Sequence, residues 1–273
     1  MARKLFSQIS PTTYAISVWK GRAFRHARDL ISGTKYAKTK AAPLPISVYK
    51  HSSLIRRKLG NVDMQLQENK AVNLTLTTPQ IDGVLIRPGE TFSFWKLAGK
   101  LTKERGYLPG LTISSGVVSS GTGGGMCQFT NLLHWLCLHS ALDIIEHHHH
   151  DGMDLFPDFG RQVPFGVGTS IFYNYIDYRV KNNTADTFQF RMYTTETHLC
   201  GELLTSTEQE FSYHIAEAER HFERRDGKLF RRGKIYRHTV DKRTGNTVKS
   251  ELIRENNARV MYSEEYVDPE LIV

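Results

Sequence analysis

Ser119-Ser-Gly-Thr-Gly-Gly-Gly-Met-Cys-Gln-Phe-Thr-Asn-Leu-Leu-His-Trp-Leu-Cys-Leu-His-Ser140 is the stretch from which the rest of the chain can be read. Gly121, Gly123, Gly124 and Gly125 crowd its first part and predict a turn. The second part is helical. Phe129, Leu132, Leu133, Leu136 and Ser140 recur at spacings of three and four and form one buried stripe. Cys127, Asn131, His134 and Leu138 share a second face. Cys127 therefore begins a helix behind a glycine turn. Gly123, Gly124 and Gly125 let the backbone take positive φ and approach a ligand. Free N–H groups there, with that of Gln128, can hold an anion or a developing oxyanion. The positive helix end also favours thiolate, so a nucleophilic Cys127 is one reading. A small buried core thiol is the other. The segment lacks the Gly-Lys-Ser/Thr ending of a phosphate loop.

A base has to come from elsewhere, and Glu146-His147-His148-His149-His150-Asp151 is the candidate. At the end of a strand, His148 and His150 point to one face and His147 and His149 to the other. One pair can face Cys127, with Asp177 on the next strand as the orienting acid. That order matches transglutaminase-like thiol enzymes, in order and element type only. The same residues allow a zinc site on His148 and His150, completed by Asp151 or Cys127, as a minor alternative to a reaction without cofactor. A solvated histidine turn is the remaining reading.

Outward from this centre the chain turns to β structure. Residues 171–180 read as a strand, Phe188, Phe190 and Met192 as another, and Asp226-Gly227 as a tight hairpin. Residues 111–120 suggest a hairpin around Gly116, and residues 71–86 a helix weakened by Pro79 and Gly83. The expected fold is α+β, with the Cys127 helix packed on a mainly antiparallel sheet, an N-terminal helix and a C-terminal β meander. The expected divisions are 1–44, 45–205 and 206–273.

The 273 residues carry a net charge of +8. Residues 1–60 hold 13 Lys/Arg against the single acid Asp29, so the remainder, with 23 basic and 27 acidic residues, is close to neutral. Residues 10–32 read as a helix capped by Ser10. Its Ala15, Trp19, Ala23, Ala27 and Leu30 face is expected to pack on the body, and its basic face allows weak contact with an anionic membrane. No nucleic-acid partner is expected. No apolar run is long enough to span a membrane, no signal peptide is seen, and three cysteines make no disulfide framework. A cytoplasmic location, either free or peripheral to the membrane, is the expectation.

Several pieces together resemble the VanW-like family, named after an accessory protein of vancomycin resistance. They are Gln67-Glu-Asn-Lys70 with Asn73-Leu74, Arg87-Pro-Gly-Glu-Thr-Phe-Ser-Phe-Trp95, Gly106-Tyr107, Gly110-Leu111, Gly123-Gly-Gly-Met-Cys-Gln128, Asn131-Leu-Leu133 and Ile145-Glu146 with His148 and His150. The resemblance spans roughly residues 45–200. It implies association with glycopeptide (antibiotic) resistance or the bacterial cell envelope, without implying a particular reaction. Two functions follow. In the first, Cys127 is the nucleophile of a hydrolase or transferase acting on an amide or peptide, with His150 or His148 as base and Asp177 as orienting acid. In the second, the protein is a non-catalytic module for a peptidoglycan-type precursor or an envelope protein. Gly123, Gly124, Gly125, Gln128 and Asn131 are then its binding residues, with Phe94, Trp95 and Tyr107 completing the recognition surface.

Overall fold

Ser10 accepts a hydrogen bond from the Thr13 amide at 3.2 Å and Pro11 takes the first helical position, so the N-terminal helix α1 (Pro11–Ile31) starts where the cap dictates. The computed structural model describes residues 5–57, 63–114, 117–149 and 152–273. After α1 come β1 (Ile46–Leu54) and α2 (Met64–Ile81). Next are β2 (Leu85–Ile86), β3 (Thr91–Ser93), α3 (Phe94–Ala98), β4 (Pro109–Ser114), β5 (Val117–Thr122) and the Cys127 helix α4 (Met126–Leu138). The chain continues through β6 (Asp143–Glu146), β7 (Met153–Asp154), β8 (Arg179–Lys181), β9 (Phe188–Thr194) and β10 (His198–Thr205). It ends in the meander β11 (Phe211–Arg225), β12 (Lys228–Asp241) and β13 (Thr247–Val260).

The fold is α+β. Strands β1, β10, β9 and β2 make an antiparallel sheet in that order, and β3, β8 and β6 a second one. The meander forms a third sheet, with β7 joined in parallel to β13. Strands β4 and β5 pair as the expected hairpin, whose tip at Gly116 lies outside the described residues. Asp226 and Gly227 both take positive φ, 50° and 68°, as a two-residue hairpin turn requires.

The stripe on α4 is core. Phe129, Leu133 and Leu136 are fully buried and Leu132 nearly so, packed with Phe92, Phe94, Phe188 and Phe190. Gly201 of β10 lets the helix come close, because a Cβ there would sit 3.0 Å from Leu136 and 3.2 Å from Leu132. On its other side α4 meets the meander through Trp135, Leu138 and Ile235.

Three expectations change. Residues 171–178 are not a strand. Asn174 takes φ of 49° in a tight turn closed by Phe172 and Ile176, and the strand begins only at Arg179. Helix α2 begins at Met64 under an Asp63 cap, earlier than apolar spacing suggests. The reason is that much of its buried face is polar: Gln67, Lys70, Asn73 and Thr77. The third change is the orientation of α1. Ala15, Trp19, Ala23, Ala27 and Leu30 are all exposed, Trp19 and Leu30 at 71% each. The face turned to the body is charged. Arg25 forms a bidentate pair with Glu146, Asp29 one with Arg179 at 2.7 and 2.8 Å, and Lys96 reaches Asp29 at 3.1 Å. Gly21 lies flat on the Tyr175 ring, where a Cβ would come within 2.4 Å. The ion network, rather than the apolar stripe, seats this helix.

Candidate functional site

Lys70 comes to the glycine turn because α2 is fastened to it. Asn73 Nδ2 donates to the carbonyls of Gly124 and Leu108, each at 2.9 Å, and Asn73 Oδ1 accepts from the Leu108 amide at 2.8 Å. Asn69 donates to Pro109 O at 2.7 Å. Two glycines in the turn are obligatory. A Cβ on Gly124 would lie 2.2 Å from the Gly110 backbone, and Gly125, at φ of 103°, leaves room for the Lys70 stem. The turn leads directly into α4, so Cys127 sits at the helix start in a cleft of about 650 Å³. The cleft walls are β1, the glycine turn, the 161–173 segment and the aromatic rings of Trp95 and Trp135.

The expected site residues divide between this cleft and other places. Gly123, Gly124, Gly125, Cys127, Gln128, Asn131 and Trp95 all line it, whereas Phe94 and Tyr107 are buried and do not. Gln128 donates from Nε2 to Ser53 Oγ and Leu54 O at 2.8 and 2.9 Å, and Asn131 Oδ1 accepts from the Thr169 amide and hydroxyl at 2.6 and 2.8 Å. Their polar groups hold the walls together. Trp95 fastens its indole N–H to Ile176 O at 3.0 Å and stands edge-on to Tyr173.

The expected oxyanion donors are engaged. Gly123, Gly124, Gly125 and Gln128 donate their amides to Leu108, Gly121, Leu111 and Gly125 carbonyls, each at 3.0 Å. The amides aimed at the thiol are those of Ile171 and Cys127 itself. Both favour thiolate, but burial dominates and pushes the Cys127 thiol up, against the lowered value expected from the helix end. Cys137 is buried and its thiol is pushed up to about 12 by burial.

Asp177 and His148 are drawn elsewhere. The buried Asp177 carboxylate accepts from Ser93 Oγ at 2.5 Å, Arg179 Nε at 2.8 Å and the amides of Trp95 and Tyr178. It holds the β3–α3 corner and is not part of the cleft wall. His148 is 44% exposed and meets Glu146 at 3.2 Å. Residues 147–149 have left strand β6, so the alternation of faces does not apply. Instead His147 stacks on the buried His134 at 3.8 Å and packs against His149, while the Ser170 amide donates to His148 O at 2.7 Å. This run therefore flanks the segment that carries Ile171. His150 lies outside the described residues. Among the described residues, no three His, Cys, Asp or Glu side chains gather as a metal-ligand set.

Among the cleft residues outside the expected set are His51, Arg57, Lys70 and Trp135. His51 is a half-buried imidazole edge-on to Trp135, its pKa lowered by burial and then by Arg57. Lys70 is 6% exposed, and burial, with Arg57 and Arg56 adding to it, lowers its pKa to about 7. Helix α1 also reaches the cleft. Arg22 lines it and donates to Tyr173 O at 3.1 Å, so α1 is not remote from the site.

Residues 69–204 match the family model described as VanW like protein. The chain is 31% identical over 263 residues to the vancomycin B-type resistance protein VanW of Enterococcus faecalis (strain ATCC 700802 / V583), covering 96% of this chain and 95% of that one. It is 29% identical over 118 residues to the uncharacterized protein YoaR of Bacillus subtilis (strain 168), covering 42% of this chain and 36% of that one. No solved structure matches it.

Proposed function

The chain belongs to the VanW-like family, linked to vancomycin resistance, and we propose that it is a thiol hydrolase or transferase of the bacterial cell envelope. In the proposed reaction, Cys127 Sγ bonds to an amide or peptide carbonyl carbon and its proton passes to an imidazole. The C–N bond then breaks, the amine leaves with that proton, and the thioester hands its acyl group to water or a second amine. The supporting observation is the placement of the thiol in a cleft at the start of α4, with the Ile171 amide turned to it. A thiol held protonated by burial requires a base at the moment of attack. Two imidazoles are tested for that role: His51 in the cleft wall, and His150, next in the chain after the run whose His148 carbonyl accepts from the Ser170 amide. This reading calls on no cofactor.

The expected result with p-nitrophenyl acetate is a burst of nitrophenol with one acetyl group retained per chain, absent in Cys127→Ala. His51→Ala or His150→Ala should slow the burst by 10²–10⁴-fold, the usual size of general-base catalysis, and so identify the base. If neither variant slows it, the imidazole part of the proposal fails.

The engaged glycine-turn amides favour a second reading, in which the cleft only holds a peptidoglycan-type ligand or a partner protein. No acyl adduct on Cys127 would leave that reading in place.

We also propose a membrane-peripheral location through α1. No described helix is long and apolar enough to cross a membrane. The exposed side of α1 nevertheless carries Ile16, Trp19, Phe24, Leu30 and Ile31, with Lys20 among them and Arg28 beside them. Such a face suits the boundary of an anionic bilayer. Trp19 is exposed while Trp95 and Trp135 are buried, so fluorescence reports on this face. Vesicles of phosphatidylcholine and phosphatidylglycerol should shift the emission to shorter wavelength, less so as salt rises. An unchanged spectrum, or an equal shift in Trp19→Asp, would count against it.

A further inference from the structure

The charge of the cleft points to its ligand. Arg22, Arg57, Lys70, Lys100 and Arg161 line it, and among the described residues no Asp or Glu does. Arg161 has a carboxylate nearby, Asp158 at 3.4 Å, and Arg22 donates to a carbonyl. Lys70 differs from both. It is more than nine-tenths buried, and among the described residues nothing makes a hydrogen bond or ion pair with its ammonium group.

An unpaired buried ammonium is costly, and here Arg57 and Arg56 add repulsion. The fold nonetheless builds the place deliberately. Gly125 is needed for the lysine stem, since a Cβ there would lie 2.2 Å from Lys70 Cγ. Asn73, on the C-terminal side of Lys70 in α2, fastens the helix to the same turn, and Asn69, on the other side, fastens it to Pro109 of β4. A lysine that merely filled space would not need a glycine to admit it or a cleft at its end. An anion in the cleft would supply the missing partner.

We propose that the cleft takes an acidic ligand and that Lys70 binds its carboxylate, beneath the glycine turn and beside Cys127. Resting on the thiol reading above, the acyl donor is then an amide or peptide bearing a free carboxylate. Lys70 is the anchor that positions this donor, and aromatic Trp95 and Trp135 face the uncharged part. The charged groups that bear on Lys70 are Arg57 and Arg56, from the segment after β1, with Arg56 itself held by Glu68 at 2.6 Å. Since the pKa of Lys70 lies at about 7 without ligand, binding at pH 7.5 should draw a proton onto it.

The test is calorimetry on full-length Cys127→Ala protein, where no thiol chemistry can contribute. Succinate, its neutral diamide and inorganic phosphate are titrated at pH 7.5 in two buffers of different ionisation heat. Succinate should bind at least tenfold tighter than the diamide, with net proton uptake. Lys70→Met, which keeps the stem, should weaken succinate at least tenfold and abolish the uptake. Lys70→Arg should restore binding without uptake. Equal binding of succinate and diamide, or uptake that survives in Lys70→Met, would overturn the proposal. Tighter binding of phosphate would overturn the carboxylate assignment. Should Lys70→Met fail to fold, NMR titration of the Lys70 side chain supplies the answer. A pKa that rises on adding succinate supports the proposal, and an unmoved one refutes it. Loss of acylation by Cys127 would leave this result untouched, so the two readings fail separately.

Discussion

Leu133→Ala should destabilise the protein by about 2–5 kcal/mol, the usual range for emptying a leucine site in a close-packed core. Leu133 is fully buried in the cluster that joins α4 to the sheet, together with Phe129, Leu136 and Phe190. The loss has two parts: the transfer of the missing methyl groups to water and the cavity left among rings that cannot collapse far. Because α4 also carries Cys127, the same substitution should loosen the cleft floor. Urea denaturation gives the number, with the slope unchanged if only the native contacts are affected. A cost below about 1 kcal/mol would mean that the stripe is not the anchor of this helix.

The second large effect is acid lability. His139 is buried with its pKa lowered to about 4, burial being the chief cause, and its ring stacks on Tyr49 at 3.7 Å. His147 lies at about 3 for the same reason, and the buried His134 is also well below its ordinary value. In the unfolded chain a histidine has a pKa of about 6.5, so all three bind protons more readily unfolded than folded. Their contribution is complete above about pH 6.5 and is lost as the pH falls towards the lowered values. At about 1.4 kcal/mol per pKa unit, His139 alone represents on the order of 3 kcal/mol. The urea midpoint should therefore fall steeply between pH 6.5 and 4.5, and less steeply in His139→Gln. A midpoint that holds or rises over this interval would contradict the buried neutral imidazoles.

How legible these features are depends on whether they are local. The α4 stripe, the Ser10 cap and the Asp226-Gly227 turn are set by neighbours in sequence, and each stands where its residues indicate. For α1, periodicity reveals an apolar face but not what covers it. The deciding partners, Glu146 and Arg179, lie more than 100 positions away. The strand expected at 171–180 has suitable composition, but Asn174 turns the chain before pairing can begin. In the cleft, Cys127 and its glycine turn are contiguous and so were visible. His51 and Lys70 join them from β1 and α2, and single residues on separate elements leave no spacing to detect. Asp177 was an apt residue type in the right order, yet Arg179, two positions on, claims it within the chain's own neighbourhood.

The most direct measurement is the position of the acyl group after reaction with p-nitrophenyl acetate. Intact mass spectrometry followed by peptide mapping should find one acetyl thioester, on Cys127, with Cys137 and Cys200 unmodified. An acetyl group spread over lysines, or one that persists in Cys127→Ala, would contradict a nucleophilic thiol in this cleft.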